Sequence, residues 1–140
     1  MCQNIELFDE YTAKVFALLY STFPVKQSIE IIDFVGKGAF DDFGVIVNAK
    51  NEPLPEAKVA WHTLIWLKEA DFISIGREHA YTDVSDVTLT IKGLEVLKAR
   101  PESIQPAKRI GNEVIGALKV GNVEAAKELV RQAIKLSVGL

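Results

Sequence analysis

Two histidines, one cysteine and a few adjacent charges are the groups of this chain with the chemistry to act on a substrate, and their spacing limits each of them. His62 and His79 have no neighbouring cysteine or acid at a ligand spacing that names a metal, and no Ser-His-Asp order forms a triad. The single Cys2 excludes an internal disulfide framework and a cysteine-rich zinc site, and it fits a reducing cytoplasm. Asp41-Asp42 resembles a catalytic carboxylate pair only in adjacency, since neighbouring acids on a loop are ordinarily solvated. Gly36-Lys37-Gly38 is too short for a phosphate-binding loop, which needs a spaced Gly-Lys-Ser/Thr context. Lys108-Arg109 suits the surface at a helix start. The residues therefore predict no enzyme, no cofactor and no metal. They leave binding as the function to be placed.

Charge narrows the partner. The 140 residues carry 16 Lys and Arg against 19 Asp and Glu, a net charge of −3. Residues 1–60 hold five Lys against nine acids, 61–100 five basic residues against six acids, and 101–140 six against four. Only the tail is basic, so a nucleic acid would need a focused local patch or a dimer that concentrates one. No apolar run approaches the roughly 20 residues of a membrane-spanning helix. The start, Met1 to Glu6, places an acid where a secretory signal has Lys or Arg, which predicts a cytoplasmic protein with no membrane partner.

The elements follow from periodicity and stop signals. Apolar residues at spacings of three and four predict a helix from Phe8 to Tyr20, ended by Phe23-Pro24. After a short extended link, Ser28 is placed to cap a second helix, Ile29 to Val35, stopped by Gly36. Residues 37–54 read as a loop with one strand at Val45-Ile46-Val47. Pro55 opens a third helix to about Ala70, with Ala60, Thr63, Leu64, Leu67 and Asp71 toward the core and Lys58, His62, Ile65 and Glu69 facing away. Trp66 adjoins the core line and is expected in or beside it; Trp61 divides evenly between core and surface. Phe72 to Ile75 and Asp86 to Leu89 form a hairpin with a long polar tip. Thr90 caps a fourth helix to Ala99, in which Gly93 predicts close backbone packing. Beyond Pro101 and Pro106, helices from Ala107 to Val120 and Val123 to Ser137 form a hairpin, the second opened by Asn122.

Two segments carry a family resemblance. Trp66-Leu67-Lys68-Glu69-Ala70-Asp71-Phe72-Ile73 resembles the end of a recognition helix entering a β-wing, with Ala70-Asp71 in place of the usual glycine. Leu89-Thr90-Ile91-Lys92-Gly93-Leu94-Glu95-Val96-Leu97 is similar to the Leu-Thr-x-x-Gly-x-x-x-Leu segment with which many bacterial winged-helix regulators leave the wing. Over residues 8–137 the chain resembles a group of bacterial and phage-associated winged-helix proteins with no settled activity. The resemblance implies a mainly α fold with a small β-hairpin wing, a winged helix-turn-helix over residues 1–101 followed by a helical hairpin over 102–140. Residues 37–54 depart from a minimal winged helix, whose second and third helices meet in a tight turn.

That fold implies a DNA-binding transcriptional regulator, with Lys58, Trp61, His62, Ile65 and Lys68 entering a groove and Arg77 reaching from the wing. The alternative is a winged-helix protein-interaction module with an acidic surface, on which Trp61, Ile65 and Tyr81 meet an apolar partner. The wing tip favours the alternative, because residues 76–86 set Arg77 alone against Glu78, Asp83 and Asp86. Val114, Ile115 and Leu118, with Ala126, Leu129, Val130, Ala133 and Ile134, form apolar faces that either pack back on the domain or pair with a second copy. A homodimer through these helices is the expectation.

Overall fold

The computed structural model describes residues 3–98 and 109–138. Cys2, Ala99, Arg100-Pro101, Pro106, Ala107 and Lys108 lie outside the described residues. Helix α1 (Gln3–Thr22) buries Tyr11, Val15, Phe16 and Leu19 and stops at the cis Phe23-Pro24 bond. It begins a turn before the expected start because Asn4 and Ile5 continue the helix while facing outward.

The second helix is shorter than its sequence signals suggest. Gln27–Glu30 is a strand, β1, and α2 covers only Ile31–Val35. Ser28 is therefore an exposed strand residue rather than a cap, and Glu30, in extended geometry, precedes the helix without a side-chain cap. The reason is nonlocal: β1 pairs antiparallel with β6 (Asp83–Leu89), which buries Ile29 and leaves Ser28 and Glu30 outside. Gly36 ends α2 at φ 81°, as its type predicts.

Residues 37–54 hold two short paired strands, β2 (Ala39–Phe40) and β3 (Ile46–Val47), where one was expected. Helix α3 (Pro55–Glu69) then buries Ala57, Ala60, Thr63, Leu64 and Leu67. Asp71 does not join that face. It lies beyond the helix, exposed, at φ 67°. There it takes the left-handed place usually held by glycine: the Asp71 N–H donates to Lys68 O at 3.0 Å and the Phe72 N–H to Leu67 O at 2.9 Å. Those two bonds are the Schellman ending, and they turn the chain directly into β4 (Ile73–Ser74).

The expected long tip is mostly strand. β4 and β5 (Arg77–His79) both pair with β6, giving the order β1-β6-β4 with β5 also on β6. Between β4 and β5, the Gly76 N–H donates to Ser85 O and Asp86 O, while Asp86 sits at φ 54°. This bulge bends the ribbon, and only Ala80 to Thr82 remain as its tip. Thr90 caps α4 (Ile91–Lys98) through Oγ1, which accepts the Gly93 N–H at 3.0 Å. A Cβ on Gly93 would lie 2.1 Å from the Phe72 carbonyl oxygen, so the expected backbone approach is real.

The last two helices, α5 (Ile110–Lys119) and α6 (Val123–Val138), pack against α1 and α4 of the same chain. Asn122 opens α6, its Oδ1 accepting the Ala125 N–H at 3.1 Å. Ile110, Val114, Ala126, Val130 and Ala133 are fully buried in the same core as Phe16 and Leu64. Gly111 lets α5 close on Tyr20, whose ring a Cβ there would meet at 2.6 Å. These faces thus pack largely on α1 and α4 of the same chain, the first of the two expected alternatives. Charges seal the seam: Lys127 reaches Glu6 at 3.0 Å and Arg131 reaches the buried Asp9 at 2.9 Å. Among the described residues no helix is long and apolar enough to cross a membrane.

Candidate interaction surface at the third helix

Helix α3 has its core line on one side and, opposite, an exposed stripe of Pro55, Lys58, His62, Trp66 and Glu69 at spacings of three and four. The two tryptophans take unequal places. Trp61 is only 6% exposed and belongs to the core, whereas Trp66, 43% exposed, takes the boundary place beside it. Helical geometry explains the difference. At about 100° per residue, Trp61 stands roughly 90° from the centre of the Ala60–Leu64–Leu67 line and Trp66 roughly 130°. Adjacency to Leu67 in sequence did not bring Trp66 inward.

The remaining expected site residues divide into two sets. Trp61, His62 and Lys68 hold the β-hairpin against the helix. The rings of Trp61 and Tyr81 have centroids 5.7 Å apart, His62 Nε2 lies 3.0 Å from the Tyr81 hydroxyl, and the Lys68 ammonium pairs with Glu78. Tyr81, at φ 62°, is half exposed. Lys68 is thus paired with Glu78 but remains exposed, whereas Trp61 is buried, which corrects the expectation that it is exposed to a partner. Ile65 is half-buried against the core and is likewise not an open contact. Arg77 is exposed on β5, away from this latch. Lys58 is exposed on the first turns of α3.

Between α1 and α3 runs a groove of about 700 Å³, floored by Phe8 and Val59 and bounded by Ile5, Pro55 and Trp66. Lys58 and His62 stand at its rim, and its lining includes no acid. Trp66 is held rather than loose. Phe8 meets it edge-on at 5.1 Å and Phe72 stacks with it at 6.2 Å. The sequence reading missed Ile5 and Phe8 as site residues. Their i, i+3 spacing, in a helix whose buried face is made by Tyr11, Val15 and Leu19, was the available signal. A second hollow of about 420 Å³ lies between the β2–β3 hairpin, the start of α3 and the tip Ala80 to Thr82, and Lys58 lines this one too.

The field over α3 and the sheet is acidic. Residues 55–89 carry Lys58, Lys68 and Arg77 against Glu56, Glu69, Asp71, Glu78, Asp83 and Asp86, so 3 − 6 = −3. Lys37 binds Glu56 and holds its carboxyl below the usual carboxylate range, and His79 Nδ1 lies 2.7 Å from Asp83 Oδ1. Of the three cations, Lys68 is paired with Glu78, while Lys58 and Arg77 are exposed. Among the described residues no group of three His, Cys, Asp or Glu could hold a metal ion. No family model, curated protein or solved structure matches the chain.

Proposed function

We propose that this chain is a non-enzymatic protein-interaction module built on a winged helix-turn-helix scaffold. Residues 1–101 are assigned to the winged unit and 102–140 to the helical hairpin, whose α5 and α6 brace α1 and α4. The order α1-β1-α2-α3 followed by a ribbon whose last strand pairs with β1 supports the scaffold. So does the turn from α3 into β4 and the close seat of Gly93 on Phe72.

The observation that carries the functional reading is the half-exposed Trp66, fixed by Phe8 and Phe72 in an apolar groove rimmed by Lys58 and His62. A pre-positioned indole loses little conformational entropy on binding, and desolvating it supplies most of the gain. The groove therefore takes an aromatic side chain from a protein segment with carboxylates beside it. DNA binding on the same scaffold has the element order behind it, but the net charge of −3 across residues 55–89 and the engagement of Lys68 by Glu78 weigh against phosphate.

Titration of a labelled peptide with phenylalanine between aspartates, beside a labelled DNA duplex, over a range of salt tests the choice. Peptide binding that weakens only modestly with salt and disappears in Trp66→Ala supports the groove. Tight duplex binding that falls steeply with salt, unaffected by Trp66→Ala, overturns it.

A further inference from the structure

We infer that the segment filling this groove is the β2–β3 turn of a second copy of the chain. The inference rests on the groove reading above and names its occupant. The most exposed large hydrophobic side chain among the described residues is Phe43, at 91%. It is presented by a fixed turn. Asp41 Oδ1 accepts the N–H groups of Phe43 and Val45, both at 2.8 Å, and the Asp41 N–H donates to Val45 O at 2.8 Å. Gly44, at φ 79°, closes the turn behind it. A large aromatic group exposed in this way is costly in water, and the fixed backbone beneath it leaves only the side chain to be ordered on binding.

Charge selects the groove as its receptor. Asp41 and Asp42 precede Phe43, and the groove offers Lys58 and His62 at the rim with no acid in its lining. Position permits reciprocity: Lys58 lines both the groove and the hollow behind the turn, so donor and acceptor surfaces share the first turns of α3. A two-fold axis beside Lys58 lets each copy insert Phe43 beside the other's Trp66. That closes the assembly at two copies, whereas one-way insertion would propagate a filament. An aromatic side chain buries roughly 150–250 Å². Trp66 has only 43% of its surface left to bury, so two Phe43–Trp66 contacts cover roughly 430–720 Å², below the ~1,200 Å² typical of stable complexes. The dimer is weak and forms with rising concentration.

Sedimentation of the full chain over a concentration series tests this, with Phe43→Ala, Trp66→Ala, Lys58→Glu, Asp42→Lys and the double charge exchange Asp42→Lys/Lys58→Glu. A monomer–dimer equilibrium is expected. Phe43→Ala and Trp66→Ala should each weaken it by roughly tenfold or more, and the double exchange should recover what each charge reversal loses. Phe43→Ala removes no buried contact, so a folding defect does not mimic this result. A monomer at every concentration, or a dimer indifferent to Phe43→Ala, overturns the inference. If the monomer's Trp66 still responds to an added peptide with phenylalanine between aspartates, only the second copy's role falls. If it does not, the groove reading falls as well.

Discussion

Replacing Gly93 with alanine should destabilise the protein, although alanine is the better helix former. The added Cβ would lie 2.1 Å from Phe72 O, against the 3.0 Å that real contacts respect, so α4 must retreat by 3.0 − 2.1 = 0.9 Å. The same carbonyl accepts the Thr90 N–H at 3.1 Å, which the retreat weakens. Overpacking costs about 1–3 kcal/mol, and a weakened hydrogen bond adds about 1 kcal/mol. Helix propensity returns about 1 kcal/mol. The net loss is about 1–3 kcal/mol, from the sum of those terms. Gly116, exposed in α5 with nothing within 4 Å of its Cβ position, isolates the propensity effect. Gly116→Ala should gain about 0.5–1 kcal/mol. Urea denaturation followed by circular dichroism reads both, and equal or greater stability in Gly93→Ala would refute the close approach of α4 to Phe72. Because Phe72 stacks with Trp66, that variant should also loosen the groove.

Other outcomes follow from the charged seam and the buried phenol. Arg131→Ala strands the 5% exposed Asp9 carboxylate and should cost about 1–3 kcal/mol at neutral pH in urea denaturation; Glu128→Ala, facing solvent, should change stability little. Lys127 holds Glu6 below its ordinary 4.5, so that pair stabilises fully above pH 4.5 and its contribution is lost as pH falls through the lower folded value. Burial holds Asp9 above 3.8, and this group acts oppositely, favouring the fold as pH falls. Lys127→Met should therefore lose stability mainly at neutral pH, its deficit narrowing on acidification. Burial pushes Tyr11 up to about 12, so its contribution is complete below pH 10 and disappears as pH rises through 12. Up to about 3 kcal/mol is at stake, and Tyr11→Phe should flatten that alkaline loss.

What the sequence made legible was local. Gly36, Thr90, Gly93 and Asn122 act through their own backbone or their nearest turn, and each is found in its expected role. The core line of α3 was readable because 3.6-residue periodicity needs no partner. Gln27–Glu30 was not, since its strand character depends on β6 more than fifty residues away, and a capping signal at Ser28 competed with it. At Asp71 helical periodicity misled: it put the residue on the core line of α3, although Ala70-Asp71 stands where a glycine is usual and aspartate is among the residues that tolerate left-handed geometry. The tail's apolar faces were visible, but periodicity cannot say whether α1 or another molecule covers them. The groove escaped notice for a related reason. Ile5 and Phe8 belong to α1, and nothing in their spacing says that α3 lies opposite.

The interaction reading stands on the proposal that the groove at Trp66 recognises an aromatic side chain flanked by acids. The two indole N–H signals in a nitrogen–proton correlation spectrum test it directly, because buried Trp61 serves as an internal control beside exposed Trp66. Titration of Phe43→Ala, which removes the competing turn, with a peptide bearing phenylalanine between aspartates should shift the Trp66 signal in saturable fashion and leave Trp61 in place. A Trp66 signal that stays fixed at saturating peptide, or that moves only when duplex DNA is added, would show that the groove does not bind such a segment.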